Sequence, residues 1–202
     1  MHIAEGVLPL SLLGAGAALS LAGTALGLKR TRQDEIPIAA VMAATFFVAS
    51  LIHVPLGPSS VHLLLLGPVG LLTGWACFPA ILVGLLLQAL FFQYGGLTVL
   101  GINTFNMALP ALLAYAACGP VVRSRRRNLA VAGAFAAGSG TILAAGVLTA
   151  ISLGLAGEAF LPAAQTILLA HIPIAAVEGA ITVAVIGFIR RVKPEMLPTR
   201  SR

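Results

Sequence analysis

Apolar residues run along this chain in long stretches, and what interrupts them is short: a glycine, a proline or a knot of charge. Seven apolar segments can be drawn, at roughly 7–28, 36–53, 60–75, 78–94, 99–121, 129–155 and 161–190. Most approach the ~20 residues that a helix needs to cross the hydrocarbon core of a bilayer. The third is short for a full crossing. It is expected to be tilted, or entered from a re-entrant turn covered by protein. The pattern predicts an all-α integral membrane protein, a bundle of about seven transmembrane helices, with residues 1–202 forming a single domain.

Composition supports this class. Hydrophobic residues make up 59% of the chain and charged residues 9%, with a mean hydropathy of +1.03. A soluble domain of 202 residues cannot hide so much apolar surface. The net charge of +6 would suit nucleic acid only if the charges shared a face, and they do not. They fall in three clusters, each after a long apolar run: Lys29, Arg30 and Arg32; Arg123, Arg125, Arg126 and Arg127; Arg190, Arg191, Lys193, Arg200 and Arg202. That is positive-inside marking, so no nucleic-acid partner is expected. The clusters follow the first, fifth and seventh segments. The N-terminus is therefore expected outside and the C-terminus in the cytoplasm, in a multi-pass protein of the cell (inner) membrane. The start lacks the basic leading region and cleavage site of a signal peptide. Cys77 and Cys118 have no metal-ligand spacing and read as packing residues.

The expected outer connections, 1–6, 54–59, 95–98 and 156–160, contain no Lys or Arg. The positive-inside rule alone would empty them. Less expected is what they contain or border: His2, Glu5, His53, His62, Tyr94 and Glu158. Met1 and His2 offer three nitrogens in a row, namely the terminal amine, the His2 backbone nitrogen and the His2 imidazole. Two fused chelate rings would close around one ion, and His62 would supply a fourth nitrogen. An all-nitrogen square plane suits Ni(II) or Cu(II), with low-spin Co(II) admitted, rather than Zn(II) or Mg(II). The plain alternatives are an inert N-terminal histidine and a helix-end His62 facing headgroups.

Met1-His2-Ile3-Ala4-Glu5-Gly6 resembles the N-terminal motif of the CbiM/NikM family, the substrate-binding membrane components of energy-coupling-factor (ECF) transporters for cobalt or nickel. Val54-Pro55-Leu56-Gly57-Pro58-Ser59-Ser60-Val61-His62 resembles that family's Pro- and Gly-rich turn leading to a histidine. The run Ala89 to Thr98, continuing through Gly101, Asn103 and Asn106 to Met107, is also similar, as is a last helix carrying His171 and Glu178. The sequence departs from the family at Gly-Pro-Ser-Ser-Val-His, where the turn often reads Gly-Gly-Thr-Ser-Gly-His, and at Gln93-Tyr94 in place of Gly-Asp.

The resemblance implies metal ligands at Met1, His2 and His62, and an N-terminus that inserts toward the bundle. It implies high-affinity binding of extracytoplasmic Co(II) or Ni(II), with no tightly bound cofactor and no enzymatic activity of the chain's own. It also implies partners: a membrane coupling (T) component, cytoplasmic ATPase subunits and a small accessory membrane subunit. Indeed the chain has no Gly-x-x-x-x-Gly-Lys-Ser/Thr phosphate loop. Around the ligands, Glu5 is placed to orient a ligand or to lie exposed, and His53 to support the site or face the interface. Asn103 and Asn106 share a helical face and need buried partners, which the N-terminal segment can supply. His171 and Glu178, two turns apart, are expected to face the bundle interior. The rival reading is a stand-alone secondary transporter or channel for a divalent transition metal. It predicts more carboxylates in the spans than Glu178.

Overall fold

The computed structural model describes residues 2–56 and 59–197, with the backbone alone for 53–56 and 59–61. Seven α-helices carry most of the chain: α1 (Leu10–Arg30), α2 (Ile36–Ala49), α3 (Leu66–Thr73), α4 (Cys77–Phe92), α5 (Leu100–Val122), α6 (Arg127–Ala156) and α7 (Leu161–Val192). The departure from helix is a short antiparallel hairpin, β1 (His53–Leu56) with β2 (Ser59–His62), in which His53 pairs with His62. Its sequence explains it. Pro55 removes a backbone donor and disfavours helix at Val54, and the sequence carries a second proline at position 58, so apolar character alone cannot make this stretch helical. The second expected segment accordingly stops at Ala49 and the third begins only at Leu66.

Helix number is not crossing number. Among the described residues, five stretches are long and apolar enough to span a bilayer: Leu10–Arg30, Leu66–Phe92, Leu100–Val122, Arg127–Ala156 and Glu158–Val192. Leu66–Phe92 qualifies by length, yet it does not run straight. As one straight helix its ends would lie ~40 Å apart, whereas the rings of His62 and Tyr94, just beyond either end, have centroids 4.9 Å apart. The chain folds back at Gly74–Ala76. Gly74 adopts φ +54°, and a Cβ there would lie 3.2 Å from the Tyr115 ring, so the turn needs glycine. With eight residues, α3 reaches only ~12 Å, and Leu66 to Leu72 are all buried. It is a half-length helix enclosed by protein, as irregular backbone at membrane depth requires.

The helices alternate in direction, which separates the two ends of the bundle. At one end lie the N-terminal segment, the end of α4 and the start of α5, joined through Ile3 and Asn103. At the other, α1 finishes in Lys29 and Arg30, and the Arg30 guanidinium lies 4.2 Å from the centre of the Trp75 ring. Arg190, near the end of α7, donates to the carbonyls of Val122 and Ser124 where α5 finishes. The described members of the three basic clusters thus border one end, and His2 and His62 lie at the other.

The core between α2, α3, α4, α5 and α6 is built on Phe46, Leu66, Ile81, Leu85, Met107 and Ile142, each no more than 2% exposed. A smaller cluster matters more to the site. Ile3 and Leu8 of the N-terminal segment pack with Val99, Ile102, Leu153 and Ala164. Burying a side chain the size of Ile3 contributes about 1.5–3 kcal/mol, enough to bias an otherwise irregular segment toward the bundle.

Candidate metal centre

Residues 2–9 precede α1 without regular structure, and their hold on the protein comes from three sources. Ile3 is buried. The Ile3 amide donates to Asn103 Oδ1, and Asn103 Nδ2 donates to the Ile3 carbonyl, both at 3.1 Å. That exchange mimics one rung of a β-ladder with a side-chain amide as the second strand. Finally, Glu5 Oε1 accepts from the Thr98 amide at 2.9 Å and the Thr98 hydroxyl at 3.1 Å. These bonds hold the Glu5 carboxyl below the usual carboxylate range. Gly96 makes room for that carboxylate: its φ is +136°, and a Cβ there would collide with the Glu5 side chain.

The anchored segment brings His2 beside His62. Their ring centroids are 5.1 Å apart and the rings stand nearly perpendicular, at 86°. Two imidazoles bound to one ion at metal–nitrogen distances of about 2.0–2.1 Å keep their ring centres within roughly 6.5 Å of each other, so this pair is close enough to share one. Tyr94 lies against both, 4.9 Å from the His62 ring and 6.1 Å from the His2 ring.

The hydrogen bonds fix which nitrogens face inward. His62 Nδ1 lies 2.8 Å from the Ser50 carbonyl oxygen, which can only accept. Nδ1 therefore carries the proton, and the lone pair sits on Nε2. His2 Nε2 lies 2.7 Å from Gln88 Oε1, likewise an acceptor. The proton of His2 is then on Nε2, and its lone pair on Nδ1. His2 Nδ1 is buried and has no partner among the described residues. Only Nδ1 closes a six-membered ring with the His2 backbone nitrogen, so the orientation is the one a terminal chelate requires. Burial first, and the neighbouring His62 among the further causes, hold the His2 imidazole well below its ordinary range. It is neutral at physiological pH, as a metal ligand must be.

His62 is held from behind. The Leu63 amide donates to the Ile52 carbonyl at 3.0 Å. The next two amides, of Leu64 and Leu65, turn to Glu178, at 2.5 Å and 2.9 Å from its Oε1. Leu65 sits in the left-handed region at φ +55°, an unusual place for leucine, and the carboxyl of α7 secures it. The hydrogen bonds of the Glu178 carboxylate thus go to backbone amides. The carboxylate fixes the backbone that follows His62.

The other expected site residues fall in different places. Asn106 donates to Ser152 Oγ at 3.1 Å and ties α5 to α6 rather than to the N-terminal segment. His171 is bonded through Nδ1 to Ile167 of its own helix, not to Glu178. Glu5 holds Thr98, not an imidazole. Met1 and the side chain of His53 lie outside the described residues; the backbone of His53 pairs with that of His62. Sequence reasoning passed over Gln88. The signal was there: it is the one amide in an otherwise apolar α4.

Residues 2–196 match the family CbiM, described as a cobalt uptake substrate-specific transmembrane region. A protein of Haemophilus influenzae named for metal transport is 43% identical, the match covering 98% of this chain and 97% of that one. A fused nickel transport protein, NikMN, of Rhodobacter capsulatus is 31% identical, over 99% of this chain and 65% of its own length. A crystal structure of a transition metal transporter superposes with a TM-score of 0.73 at 25% identity, covering 95% of this chain and 93% of that one.

Proposed function

For a chain that belongs to the CbiM family of cobalt uptake substrate-specific transmembrane regions, and so is a multi-pass membrane protein of metal transport, we propose the role of high-affinity receptor for extracytoplasmic Co(II) or Ni(II). It delivers the ion into the cell as the substrate-specific component of an ATP-driven ECF transporter. Residues 1–202 act as one transmembrane metal-binding domain. The basic end of the bundle faces the cytoplasm, which follows the positive-inside rule, and the histidine end faces outward.

In this reading the ion takes four nitrogens: the Met1 amine, the His2 backbone nitrogen after it loses its proton, His2 Nδ1 and His62 Nε2. The single observation that carries the assignment is the buried Nδ1 of His2, without a partner among the described residues, on a ring 5.1 Å from that of a second histidine. A buried lone pair without a hydrogen bond asks for an explanation, and a metal supplies one. An all-nitrogen plane favours Ni(II), Cu(II) and low-spin Co(II) over ions that prefer tetrahedral or octahedral surroundings. Asn103 and Ile3 pre-order the segment, so the ion meets ligands already gathered.

Energy for release comes from outside the chain. A membrane coupling component and cytoplasmic ATPase subunits move this protein and open the site, with a small accessory membrane subunit beside them. Support for needing partners is twofold: no phosphate loop occurs in the sequence, and Glu178, the one carboxyl deep in a span, is engaged by two backbone amides rather than lining a path.

The test is metal content of the purified protein after growth with both Ni and Co. The native start is compared with a version carrying one extra residue before Met1, which moves the amine out of the chelate and shifts His2. Retention of about one ion by the native protein and little by the extended one supports the reading. Equal retention by both overturns the terminal chelate.

A further inference from the structure

Gln88 is buried in the apolar helix α4, with 0% of its surface exposed. A buried amide is expensive unless both its ends are bonded. Here only one end is: Oε1 receives His2 Nε2–H at 2.7 Å, and Nε2 has no partner among the described residues. Its neighbours Leu85, Leu86, Leu87, Ala89 and Leu90 show what the position would hold if packing were its only duty. A leucine here would leave no unpaired N–H in the protein interior. The bond to His2 is what the amide gives in return.

That bond controls the donor atom. His2 belongs to a segment with no helix or strand to orient its ring. Rotation of the ring by half a turn would exchange Nδ1 for a carbon and carry the lone pair away from the backbone nitrogen. By accepting from Nε2–H on the α4 side, Gln88 holds the proton there and leaves the lone pair on Nδ1, the nitrogen nearer the His2 main chain. A ring fixed before the ion arrives has less freedom to lose on binding.

We infer that Gln88 is a positioning residue: it fixes the tautomer and ring orientation of His2 so that Nδ1 is presented for the terminal chelate. It touches the ion in no state the geometry describes. The inference rests on the ligand set proposed above, and it makes a claim that set does not contain.

The test titrates Ni(II) and Cu(II) into detergent-purified protein, reading affinity and the visible d–d absorption of the square-planar complex. The proteins are wild type, Gln88→Leu, Gln88→Met, Gln88→Glu and the version extended by one residue before Met1. Thermal melting of the metal-free proteins checks that each is folded. Losing a partner that orients a ligand lowers affinity by about 10–100-fold. That loss is expected in Gln88→Leu and Gln88→Met, with a shifted or weakened d–d band and an unchanged melting temperature. Gln88→Glu keeps an oxygen acceptor and is expected to stay within a few-fold of wild type. In the metal-free wild type, nitrogen-15 spectra of labelled histidine should show the His2 proton on Nε2, and Gln88→Leu should lose that preference. If the Leu and Met variants bind with wild-type affinity and an unchanged band while the extended protein fails to bind, this inference is wrong and the ligand set stands. If the extended protein binds as well as wild type, the ligand set itself falls, and this role for Gln88 with it.

Discussion

Asn103 and Ile3 exchange two hydrogen bonds, each 3.1 Å long, across 100 residues of sequence. One side chain on α5 thereby satisfies both backbone groups of the residue next to His2. Asn103→Leu fills similar space but removes both bonds, leaving a buried amide and carbonyl without partners. The expected outcome is metal affinity reduced roughly tenfold or more and faster proteolysis at residues 2–8. Isothermal titration and limited digestion would read the two effects. Wild-type values for both would show that Ile3 burial alone seats the segment.

The two buried histidines should separate cleanly. His62→Ala removes a proposed ligand, and binding should fall more than the ~100-fold expected for a supporting residue. His171 is bonded within its own helix, so His171→Ala should leave metal affinity within a few-fold of wild type. Equilibrium dialysis with radioactive nickel on both variants decides the matter; parallel losses would place His171 in the site.

Glu178 secures the backbone behind His62. Glu178→Leu leaves the amides of Leu64 and Leu65 buried without acceptors, a loss of roughly 2–5 kcal/mol. Glu178→Gln keeps one oxygen and should lose less than half as much. Thermal denaturation in detergent orders the three proteins, and equal stability would mean that the two amides find other acceptors.

Acid should loosen the N-terminal segment through Glu5. Its carboxyl titrates below the usual value of 4.5 because Thr98 donates to the charged form. A group whose folded-state pKa is lowered adds stability that is present above the ordinary value and disappears as pH falls through the lowered one. The latch is therefore intact at pH 7 and opens only in acid, below 4.5. Hydrogen exchange of residues 3–8 should be unchanged between pH 7 and 5 after correction for intrinsic rates, and should rise below that. Glu5→Gln should exchange fast already at pH 7. The pair is exposed, so the effect is local rather than global.

Much of this was legible in the sequence, for identifiable reasons. Long apolar runs punctuated by arginine clusters give helices and their ends, because the bilayer permits few alternatives. Met1-His2 and His62 stood out because histidine is scarce and the chain is otherwise poor in ligands. The fold-back of Leu66–Phe92 was visible only as a segment too short to cross; hydropathy is blind to direction. The pairing of His53–Leu56 with Ser59–His62 was hidden because Val and Leu serve strand and helix alike, and only the prolines spoke against helix. Gln88 was missed for a different reason. One polar residue in an apolar helix is conspicuous, but what it touches depends on a segment 86 residues away. Asn103 and Asn106 looked equivalent, yet one meets Ile3 and the other Ser152.

The short helix α3 carries a consequence for the proposed metal site. Every residue from Leu66 to Leu72 is buried, and eight residues cannot span lipid unaided. Such a piece has no stable place in the bilayer without its neighbours on α2, α5 and α6 around it. His62 stands at its head. The proposed metal site therefore depends on the packing that encloses α3, and an ion held there would report that this packing is complete.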